Sequence, residues 1–540
     1  MRRLMAPRRE RSDDELKADA RQRGVQPARA DVAPLVARLQ TCDEDVADAI
    51  ERLLARLGAE AARAAREALV EARAPQRGRL VRLVGRIAQE TSDAELRAFL
   101  VAALDDAEDK ARRNAVIALG KLPSPEVEQA LIAAWAREGS LPIRRSIAAS
   151  LGKIGGPDSL ALLRTIATED PELARIAGEA KLKLGRTLAR PETARLDGGA
   201  PIPDAPAEVW LRCRQGLEQL VCDELGAGAR PRIVGPGLVE ARASGPLADL
   251  YRSRIALRFG FPLPVPVDKR VALEAAVVAA LASPRALAIM KAFTAGTPRY
   301  RLEWASGGHR RGLTFRVAQA VAARRPELVN DPTASDWEAV VTEGERVTVE
   351  LWPRGLDDPR FTYRVEQVPA SSHPTLAAAL ARLGGARADD VVWDPFVGAA
   401  TELIERARLG PYRRLVGTDR DARAIERAKK NLAAAGVAAE LAVDDAEAHD
   451  PGEGLTLILT NPPMGRRVLD KTQTGGLLHD FIRRAARLLA PGGRLVWISP
   501  RAADTAAQAE AERLRLTYRQ RVDMGGFWAE LQAFERPRRR

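Results

Sequence analysis

Two short polar strings in the last third of the chain each follow a run of apolar residues, and this pattern most restricts the possible fold. Residues 394–401 read DPFVGAAT after the apolar residues 391–393, and residues 461–465 read NPPMG after the apolar run 455–459. Parallel strands that are buried on both faces have near-continuous apolar sequences of this kind. Ligands bind at the carboxyl ends of strands in open α/β sheets. The two strings therefore predict one ligand site at one edge of a parallel sheet.

The whole region from 371 to 536 alternates apolar runs with amphipathic segments. Strands are predicted at 391–393, 414–419, 439–443, 455–460 and 494–498, and helices at 401–408, 422–435 and 477–489. Strands that alternate with helices in this way favour a parallel sheet with right-handed crossovers. The region is predicted to be a doubly wound, Rossmann-like α/β domain, with a basic tail at 537–540.

The ends of three of these strands carry residues suited to a nucleoside cofactor. Gly398 lets the backbone pass close to a ligand, where a Cβ would clash. Asp419 lies at the end of the second strand, where a carboxylate can accept both hydroxyls of a ribose. Asp445, after the third strand, can accept a hydrogen bond from an adenine amino group. Each aspartate alone is also typical of an ordinary loop start.

The second string predicts a clamp for a planar amino group. The lone pair of an exocyclic amine on a base is delocalised into the ring, so the amine is a poor nucleophile. Two acceptors, the side-chain oxygen of Asn461 and the carbonyl of Pro462, can hold its hydrogens out of the ring plane. Pro463 stiffens the loop that carries them. Because positioning supplies most of the effect, no strong base is needed, and methyl transfer to nitrogen is the predicted reaction.

The first third of the chain is helical and repetitive. Residues 111–122 and 143–154 share an Arg-Arg pair and a Leu-Gly-Lys ending, at an offset of 32 residues. A paired-helix period of this length is typical of an α-solenoid. The pattern resembles HEAT repeats, most clearly over 75–186, within a helical region of residues 1–190. The Arg-Arg pairs are either a basic stripe for nucleic acid or an acidic protein partner, or an ordinary solvated face.

A linker and a module of mixed structure lie between these two regions. Residues 191–206 are rich in Pro, Gly and Ala, as linkers are. After them the pattern predicts a strand at 208–213, a helix at 217–225, and a hairpin whose turn is Gly235-Pro236. Further strands are predicted at 313–317 and 346–352. Residues 207–370 are therefore predicted to form an α+β module of their own.

The two strings together resemble a known group of enzymes. The pair DPFxGxxT and NPPxG is similar to the S-adenosylmethionine-dependent guanine-N2 methyltransferases of the THUMP-containing group, which act on tRNA or large-subunit ribosomal RNA. The strings GTDRD at 417–421 and HPTLAAAL at 373–380 add to the resemblance, which covers about 207–535. It implies a class I methyltransferase fold for the last domain and a THUMP-like, RNA-binding role for the middle module.

The resemblance also implies a role for individual residues. The cofactor S-adenosyl-L-methionine is expected to contact Thr375, Asp394, Pro395, Phe396, Gly398, Thr401, Asp419, Arg420, Asp445, Ala446 and Asn461. The target base is expected to contact Asn461, Pro462, Pro463 and Met464. Two positions differ from the family. Its second glycine in the first string is Ala400 here, and its aromatic residue after the two prolines, which stacks on the base, is Met464.

Three functions remain open at this point. RNA guanine-N2 methylation, most simply in tRNA, is the first. A DNA adenine-N6 or a protein N-methyltransferase is the second, since Asn-Pro-Pro loops also serve those amines. The third is a HEAT scaffold that binds RNA through a degenerate methyltransferase domain, with Ala400 and Met464 as its marks. The middle module favours RNA, and the retained Asp394, Asp419 and Asn461 favour an enzyme.

Bulk composition supports a polyanionic partner and a chain without metal. The formal net charge is +12, carried mostly by arginine, which suits RNA phosphates but can also reflect codon usage alone. The 3 cysteines form no Cys-x-x-Cys pair, and the 4 histidines do not cluster at the spacing of metal ligands. With no apolar leader and no span of membrane length, we expect a cytoplasmic protein.

Overall fold

The computed structural model describes residues 3–4, 11–22, 25–74, 76–189, 194–266, 271–308, 310–369, 371–463 and 471–538. In the first third the elements are β1 (Arg3–Leu4), α1 (Asp13–Arg21), β2 (Val25–Gln26), α2 (Val32–Thr41), α3 (Glu44–Ala55), α4 (Ala59–Leu69), α5 (Gln76–Thr91), α6 (Ala94–Ala102), α7 (Asp109–Leu119), α8 (Pro125–Arg137), α9 (Leu141–Ile154), α10 (Pro157–Thr165) and α11 (Pro171–Ala189). In the middle they are β3 (Arg195–Leu196), β4 (Ala207–Arg212), α12 (Glu218–Leu225), β5 (Arg232–Gly235), β6 (Leu238–Ala243), β7 (Arg258–Pro262), α13 (Leu273–Leu281), α14 (Pro284–Phe293), β8 (Thr294–Ala295), β9 (Arg299–Trp304), α15 (Arg311–Arg324), β10 (Val329–Asn330), β11 (Trp337–Thr342) and β12 (Thr348–Pro353). In the last third they are α16 (Pro374–Gly384), β13 (Val391–Asp394), α17 (Thr401–Arg408), β14 (Arg414–Asp419), α18 (Ala422–Ala435), β15 (Glu440–Val443), β16 (Leu457–Thr460), α19 (Lys471–Leu488), β17 (Arg494–Ser499), α20 (Ala502–Ala511), β18 (Arg515–Asp523) and β19 (Trp528–Glu535).

The chain divides into two compact units. Unit 1 contains residues 1–193 together with 311–331, and unit 2 contains residues 194–310 together with 332–540. The prediction of a strand at 313–317 is wrong, because this segment lies in α15. Its five residues alternate like a strand, but Val317, Ala318 and Val321 are buried at the spacing of a helix face.

The helices α5, α7, α9 and α11 of unit 1 stack one on the next, as the repeat pattern predicts. The glycine of the repeated ending lies where consecutive helices come closest. A Cβ on Gly120 would lie 2.7 Å from the Cβ of Ser150, and a Cβ on Gly152 would lie 2.5 Å from that of Ala180. The glycine of the Leu-Gly-Lys ending is thus a packing requirement of the solenoid, since any larger side chain there would separate the helices.

Ion pairs between neighbouring repeats account for the Arg-Arg pairs. Arg112 donates to Glu138 with 2.9 Å between Nε and Oε2, and Glu138 is 9% exposed. Arg145 donates to Asp170 with 2.6 Å between Nη2 and Oδ2. Arg113 is exposed and contacts only the hydroxyl of Ser146, at 3.3 Å from Nε, among the hydrogen bonds of the described chain. In each pair, one arginine therefore forms an ion pair with a carboxylate in the loop of a neighbouring helix.

The middle part of unit 2 is an α+β module, as predicted. Its strands run in the order β9-β11-β12-β7-β4-β6-β5. β5 and β6 form the predicted antiparallel hairpin, and β4 and α12 coincide with the predicted strand and helix. In the described part of the chain no single helix is long and apolar enough to cross a membrane, although α13 and α14 meet that test together as a pair bent by 47°.

The last part of unit 2 is the predicted doubly wound domain. Its strands run in the order β15-β14-β13-β16-β17-β19-β18, and all neighbours from β15 to β17 are parallel. Only β19 runs antiparallel, between β17 and β18. The chain winds outward from β13 through β14 to β15 and then returns to the other side of β13 to form β16. The strand order therefore reverses between β13 and β16, where such sheets bind ligands.

Loops of the middle module contact the doubly wound domain closely. Gly216 has φ +98, and a Cβ there would lie 2.0 Å from the carbonyl oxygen of Arg521. The backbone nitrogen of Asp523 donates to the carbonyl of Gln215 at 3.0 Å. Arg254 of the middle module forms an ion pair with Glu405 of α17, with 2.6 Å between Nε and Oε2. The module is therefore fixed to the helix that begins at Thr401, the last residue of the DPFVGAAT string.

Candidate active site

Asp394 lies at the carboxyl end of β13, at the point where the strand order reverses, and it is fully buried. Its Oδ1 accepts hydrogen bonds from the Thr460 hydroxyl at 2.6 Å and from the backbone nitrogen of Phe396 at 3.1 Å. Since Thr460 ends β16, this bond joins the two strands that carry the two polar strings. The second oxygen, Oδ2, is buried and has no hydrogen-bond partner among the described residues.

A second buried carboxyl group lies near Asp394. Burial raises the pKa of Asp394 well above its usual range, and the nearby Glu402 carboxylate raises it further. Burial also raises the pKa of Glu402, which is 4% exposed. Neither carboxyl group forms an ion pair within the described part of the chain, so two acidic groups share a buried space without a paired cation. Such a pair is typical of a functional site.

The loop after β13 turns back to bind the end of β14. Gly398 has φ +47, and its nitrogen donates to Oδ2 of Asp419 at 3.0 Å. Oδ1 of Asp419 accepts from the nitrogen of Asp421 at 2.9 Å. Each carboxylate oxygen has two lone pairs, so Asp419 can still accept one hydroxyl group on each oxygen.

Ala400 adopts a left-handed conformation, with φ 60 and ψ 24, directly before α17. This conformation costs an alanine roughly 1–2 kcal/mol but costs a glycine little, which explains the glycine of the family at this position. Asn431 stabilises the loop, because its Nδ2 donates to the carbonyl of Ala399 at 3.1 Å. The same side chain binds the backbone of Glu366, with 2.9 Å from the nitrogen of Glu366 to Oδ1. The strained loop is thus held by a buried side chain of α18.

Asp445 comes two residues after β15, at the same sheet edge as Asp419. Asp419 pairs in register with Val443, and the nitrogen of Asp444 donates to the carbonyl of Asp419 at 3.1 Å. The carboxylate of Asp445 forms an ion pair with Arg420. Two predicted cofactor residues, Arg420 and Asp445, therefore lie together because they form an ion pair with each other. An adenine amine would have to share the Asp445 carboxylate with Arg420.

The other predicted residues lie around the same loop. Phe396 packs edge-on against Phe481, with 5.6 Å between ring centroids, and Ala446 belongs to the same hydrophobic core. The carbonyl of Pro395 accepts from the Thr418 hydroxyl at 3.3 Å. Thr401 and Thr375 are both buried, and the Thr401 hydroxyl has no partner in the described chain.

A neutral histidine begins the helix that carries Thr375. His373 caps α16, and its Nδ1 lies 2.8 Å from the Thr375 hydroxyl. Burial lowers the pKa of His373 to about 4, and the nearby Arg214 and Arg364 lower it as well. The imidazole is therefore uncharged at neutral pH, and its contact with Thr375 is a hydrogen bond between neutral groups.

Asn461 follows β16, and its two side-chain atoms differ in their hydrogen bonding within the described chain. Its Nδ2 donates to the Ser372 hydroxyl at 2.8 Å. Its Oδ1 is buried and accepts no hydrogen bond from the described residues. Pro462 is buried and Pro463 is half-buried, while Met464 lies outside the described residues. The structure thus orients one acceptor of the predicted clamp.

Ser372 and Glu402 belong to this site although the sequence reasoning did not include them. The hydroxyl of Ser372 donates to Oε1 of Glu402, so a chain of hydrogen bonds runs from Asn461 through Ser372 to Glu402. A signal for Glu402 existed in the sequence. It lies in the first turn of α17 within the buried run 401–406, where a carboxyl group is unusual.

Residues 362–530 match the UPF0020 family model, described as RMKL-like, methyltransferase domain, and residues 97–183 match HEAT repeats. The tRNA (guanine(6)-N2)-methyltransferase of Thermus thermophilus is 32% identical over 166 residues, which are 30% of this chain and 49% of that one. The ribosomal RNA large subunit methyltransferase K/L of Syntrophotalea carbinolica is 29% identical over 331 residues, 49% of this chain and 45% of its own. The chain thus spans about half the length of the curated relatives it matches.

A solved structure extends the likeness beyond the last domain. The crystal structure of TrmN from Thermus thermophilus is 25% identical, with a TM-score of 0.51, and the match covers 61% of this chain and 99% of that one. Residues 362–530 alone could not supply so large a share, so the match extends beyond this segment. The segment from 362 to 530 is thus similar to the UPF0020 family of RMKL-like methyltransferase domains, and it follows a region similar to HEAT repeats.

Proposed function

We propose that this protein transfers the methyl group of S-adenosyl-L-methionine to the N2 amino group of a guanine in tRNA. One observation carries the proposal. Asn461 holds a buried oxygen that has no hydrogen-bond partner among the described residues, and it follows β16 beside the loop at the end of β13. The names of the relatives support the choice of amine and of RNA, since they are tRNA guanine-N2 methyltransferases and a ribosomal RNA methyltransferase.

The residues at this sheet edge fit the cofactor. S-adenosylmethionine carries an ammonium group, a ribose with two hydroxyls and an adenine amine. The buried Oδ2 of Asp394 lacks a partner among the described residues and lies near a second carboxyl group, so a cation would relieve the repulsion between them. Asp419 retains a free lone pair on each carboxylate oxygen for the ribose hydroxyls. When bound, the cofactor supplies an electrophilic methyl group.

The protein activates the amine by holding it. Oδ1 of Asn461 and the carbonyl of Pro462 accept the two hydrogens of the guanine amine, which turns its lone pair out of the ring plane. The new bond forms between this nitrogen and the methyl carbon as the bond from sulfur to that carbon breaks. The methylated nitrogen then releases one proton to solvent. Preorganised acceptors of this kind lower the barrier because they need no rearrangement during the reaction.

The middle module is proposed to be THUMP-like and to hold the RNA. A cavity of about 630 Å³ lies where it meets the β18–β19 turn, and its lining includes Arg212, Arg258 and Gly237. Arg258 is exposed, and its guanidinium lies over the ring of Trp352, at 3.2 Å from Cζ to the centroid. A fixed guanidinium at a cavity suits an RNA phosphate. The chemistry on a base in a stem also requires the guanine to leave its stack.

The proposal is tested by methyl transfer to tRNA. The full chain is incubated with tritiated S-adenosylmethionine and with tRNA from cells that lack the gene, and the nucleosides are identified by mass spectrometry. We expect N2-methylguanosine. The variant Asn461→Ala should lose transfer, while its affinity for the cofactor, measured by calorimetry, should fall far less than the rate of transfer.

Other outcomes separate the alternatives. Formation of N6-methyladenine in duplex DNA, or methyl transfer to protein, would show that the enzyme methylates a different amine and would contradict the proposal. Binding of tRNA without binding of S-adenosylmethionine would instead show a scaffold with a degenerate domain. If Asn461→Ala remains active on guanine, the clamp is wrong even though the reaction is right.

A further inference from the structure

The clamp works in only one orientation of the Asn461 amide. A side-chain amide has an oxygen that accepts hydrogen bonds and a nitrogen that donates them. If the group turned by 180°, its nitrogen would face the target amine, and two donors would oppose each other. The enzyme therefore needs a device that fixes the orientation, and this requirement rests on the proposed function.

The structure contains such a device in Ser372 and Glu402. Ser372 is 5% exposed and Glu402 is 4% exposed, so water does not compete strongly for their hydrogen bonds. The Ser372 hydroxyl donates its hydrogen to Oε1 of Glu402. The lone pair of the same hydroxyl accepts from Nδ2 of Asn461 at 2.8 Å. Asn461 thus donates, Ser372 both accepts and donates, and Glu402 accepts, so the chain of hydrogen bonds has a fixed direction.

We propose that Ser372 and Glu402 are positioning residues that hold the oxygen of Asn461 toward the target amine. A serine hydroxyl has one hydrogen, and Ser372 donates it in the hydrogen bond to Glu402. The serine can then only accept on its other side, so Asn461 must present its nitrogen to the serine and its oxygen to the substrate. A turned amide would place its oxygen against an acceptor, leaving both groups unsatisfied in a buried place.

The helix that carries Glu402 is itself fixed from the other side. Glu405, one turn further along α17, accepts from Arg254 Nε at 2.6 Å and from the Tyr363 hydroxyl at 2.6 Å. Arg254 belongs to the middle module, so this module anchors the helix that orients the clamp. Glu402 can therefore act as a rigid reference point for Ser372.

The first test compares two neighbouring serines in the full chain, with the tRNA assay of the proposed function. In Ser372→Ala we expect kcat to fall about 10- to 100-fold, since a misplaced reacting group costs rates of this order. The affinity for S-adenosylmethionine and the KM for tRNA should stay within about twofold. Ser372→Thr keeps a hydroxyl and should recover most of the loss. The matched control is Ser371→Ala, whose hydroxyl accepts from Arg364 at 3.0 Å and should change kcat less than twofold.

The second test changes the acceptor that directs the serine. Glu402→Gln keeps a carbonyl oxygen for the serine hydrogen, so its kcat should exceed that of Glu402→Leu by about tenfold. Equal activities of these two variants, or a Ser372→Ala variant with wild-type kcat, would overturn the inference. So would parallel losses of kcat and cofactor affinity in Ser372→Ala, which indicate a structural role only. Activity that persists in Asn461→Ala would instead refute the clamp, and with it the proposed function rather than this inference alone.

Discussion

The solenoid and the active site use buried carboxyl groups in opposite ways. In the solenoid, Glu138 faces Arg112, and Asp106 faces Arg77 with 2.6 Å between Oδ2 and Nη2. In the active site, Asp394 and Glu402 are buried more deeply but form no ion pair within the described chain. One arrangement links repeats, while in the other burial opposes ionisation of both carboxyl groups. The candidate active site therefore lowers the stability of the fold where the solenoid raises it.

The pKa shifts follow this division. Burial opposes ionisation of Glu138 and Asp106, but hydrogen bonds from their arginines outweigh it and lower the pKa of both. For Asp394 and Glu402 burial prevails, and the pKa of each is raised. Glu51 of the solenoid has a raised pKa although it faces Arg82, because its burial is deeper. The direction of each pKa shift therefore depends both on whether the carboxyl group has an arginine partner and on how deeply it is buried.

The strongest test of the comparison is Asp394→Asn. It removes the charge that we assign to the cofactor ammonium, so the affinity for S-adenosylmethionine should fall at least about 30-fold. It also removes a buried carboxyl group that forms no ion pair within the described chain, so the domain should gain roughly 0.5–2 kcal/mol of stability at neutral pH. Titration calorimetry measures the first effect, and scanning calorimetry the second. A less stable variant would show that Asp394 is paired in solution, and the contrast would then fail.

The pH dependence of the same variant checks the sign of the charge effect. A carboxyl group with a raised pKa in the folded state stabilises that state fully only below its unfolded pKa, near 3.8, and this stability is lost as the pH rises through the folded pKa. The advantage of Asp394→Asn over the wild type should therefore be largest at neutral and alkaline pH. It should shrink as the pH falls toward about 4. An advantage that grows in acid would contradict the raised pKa.

The next test breaks one ion pair of the solenoid. Arg112→Ala leaves the carboxylate of Glu138 without its guanidinium and should destabilise unit 1 by about 2 kcal/mol. The matched control is Arg113→Ala, an exposed residue of the same Arg-Arg pair, which should cost less than about 0.5 kcal/mol. Hydrogen exchange at α7 and α9 measures both. Equal losses of stability in Arg112→Ala and Arg113→Ala would mean that both arginines belong to a solvated face.

A third test concerns the close helix contacts on which the solenoid depends. Gly152→Ala would place a Cβ 2.7 Å from the Cα of Ala180, so α9 and α11 must separate. We expect a cost of roughly 1–3 kcal/mol in thermal unfolding. Gly185→Ala is the control, because a Cβ at this helical glycine meets nothing within 4 Å. It should be neutral or slightly stabilising, since alanine has the higher helix propensity. A neutral Gly152→Ala would show that the repeats are packed loosely.

The features that the sequence predicts well are those set by local periodicity. The apolar runs before residues 394 and 461 were long enough to identify β13 and β16, and parallel strands place their ends at one edge. The prediction of a strand at 313–317 is wrong because a segment of five residues is too short to distinguish the two-residue period of a strand from the 3.6-residue period of a helix. Ser372 escaped detection because its partners, Glu402 and Asn461, are distant in the sequence and meet only through the fold. The left-handed backbone of Ala400 likewise depends on the folded loop.

The smallest effect is expected where the active site departs from its family. Ala400→Gly relieves a left-handed alanine, worth roughly 1–2 kcal/mol. It also loses a buried methyl group, about 0.8 kcal/mol, and adds backbone freedom to the unfolded chain, roughly 0.5–1 kcal/mol. These contributions nearly cancel, so stability should change by less than about 1 kcal/mol. Because Asn431 already holds the loop through the carbonyl of Ala399, kcat should stay within about twofold. A tenfold gain in kcat, measured beside Asn431→Ala, would show that the alanine distorts the cofactor loop and that its backbone strain lowers the activity of the site.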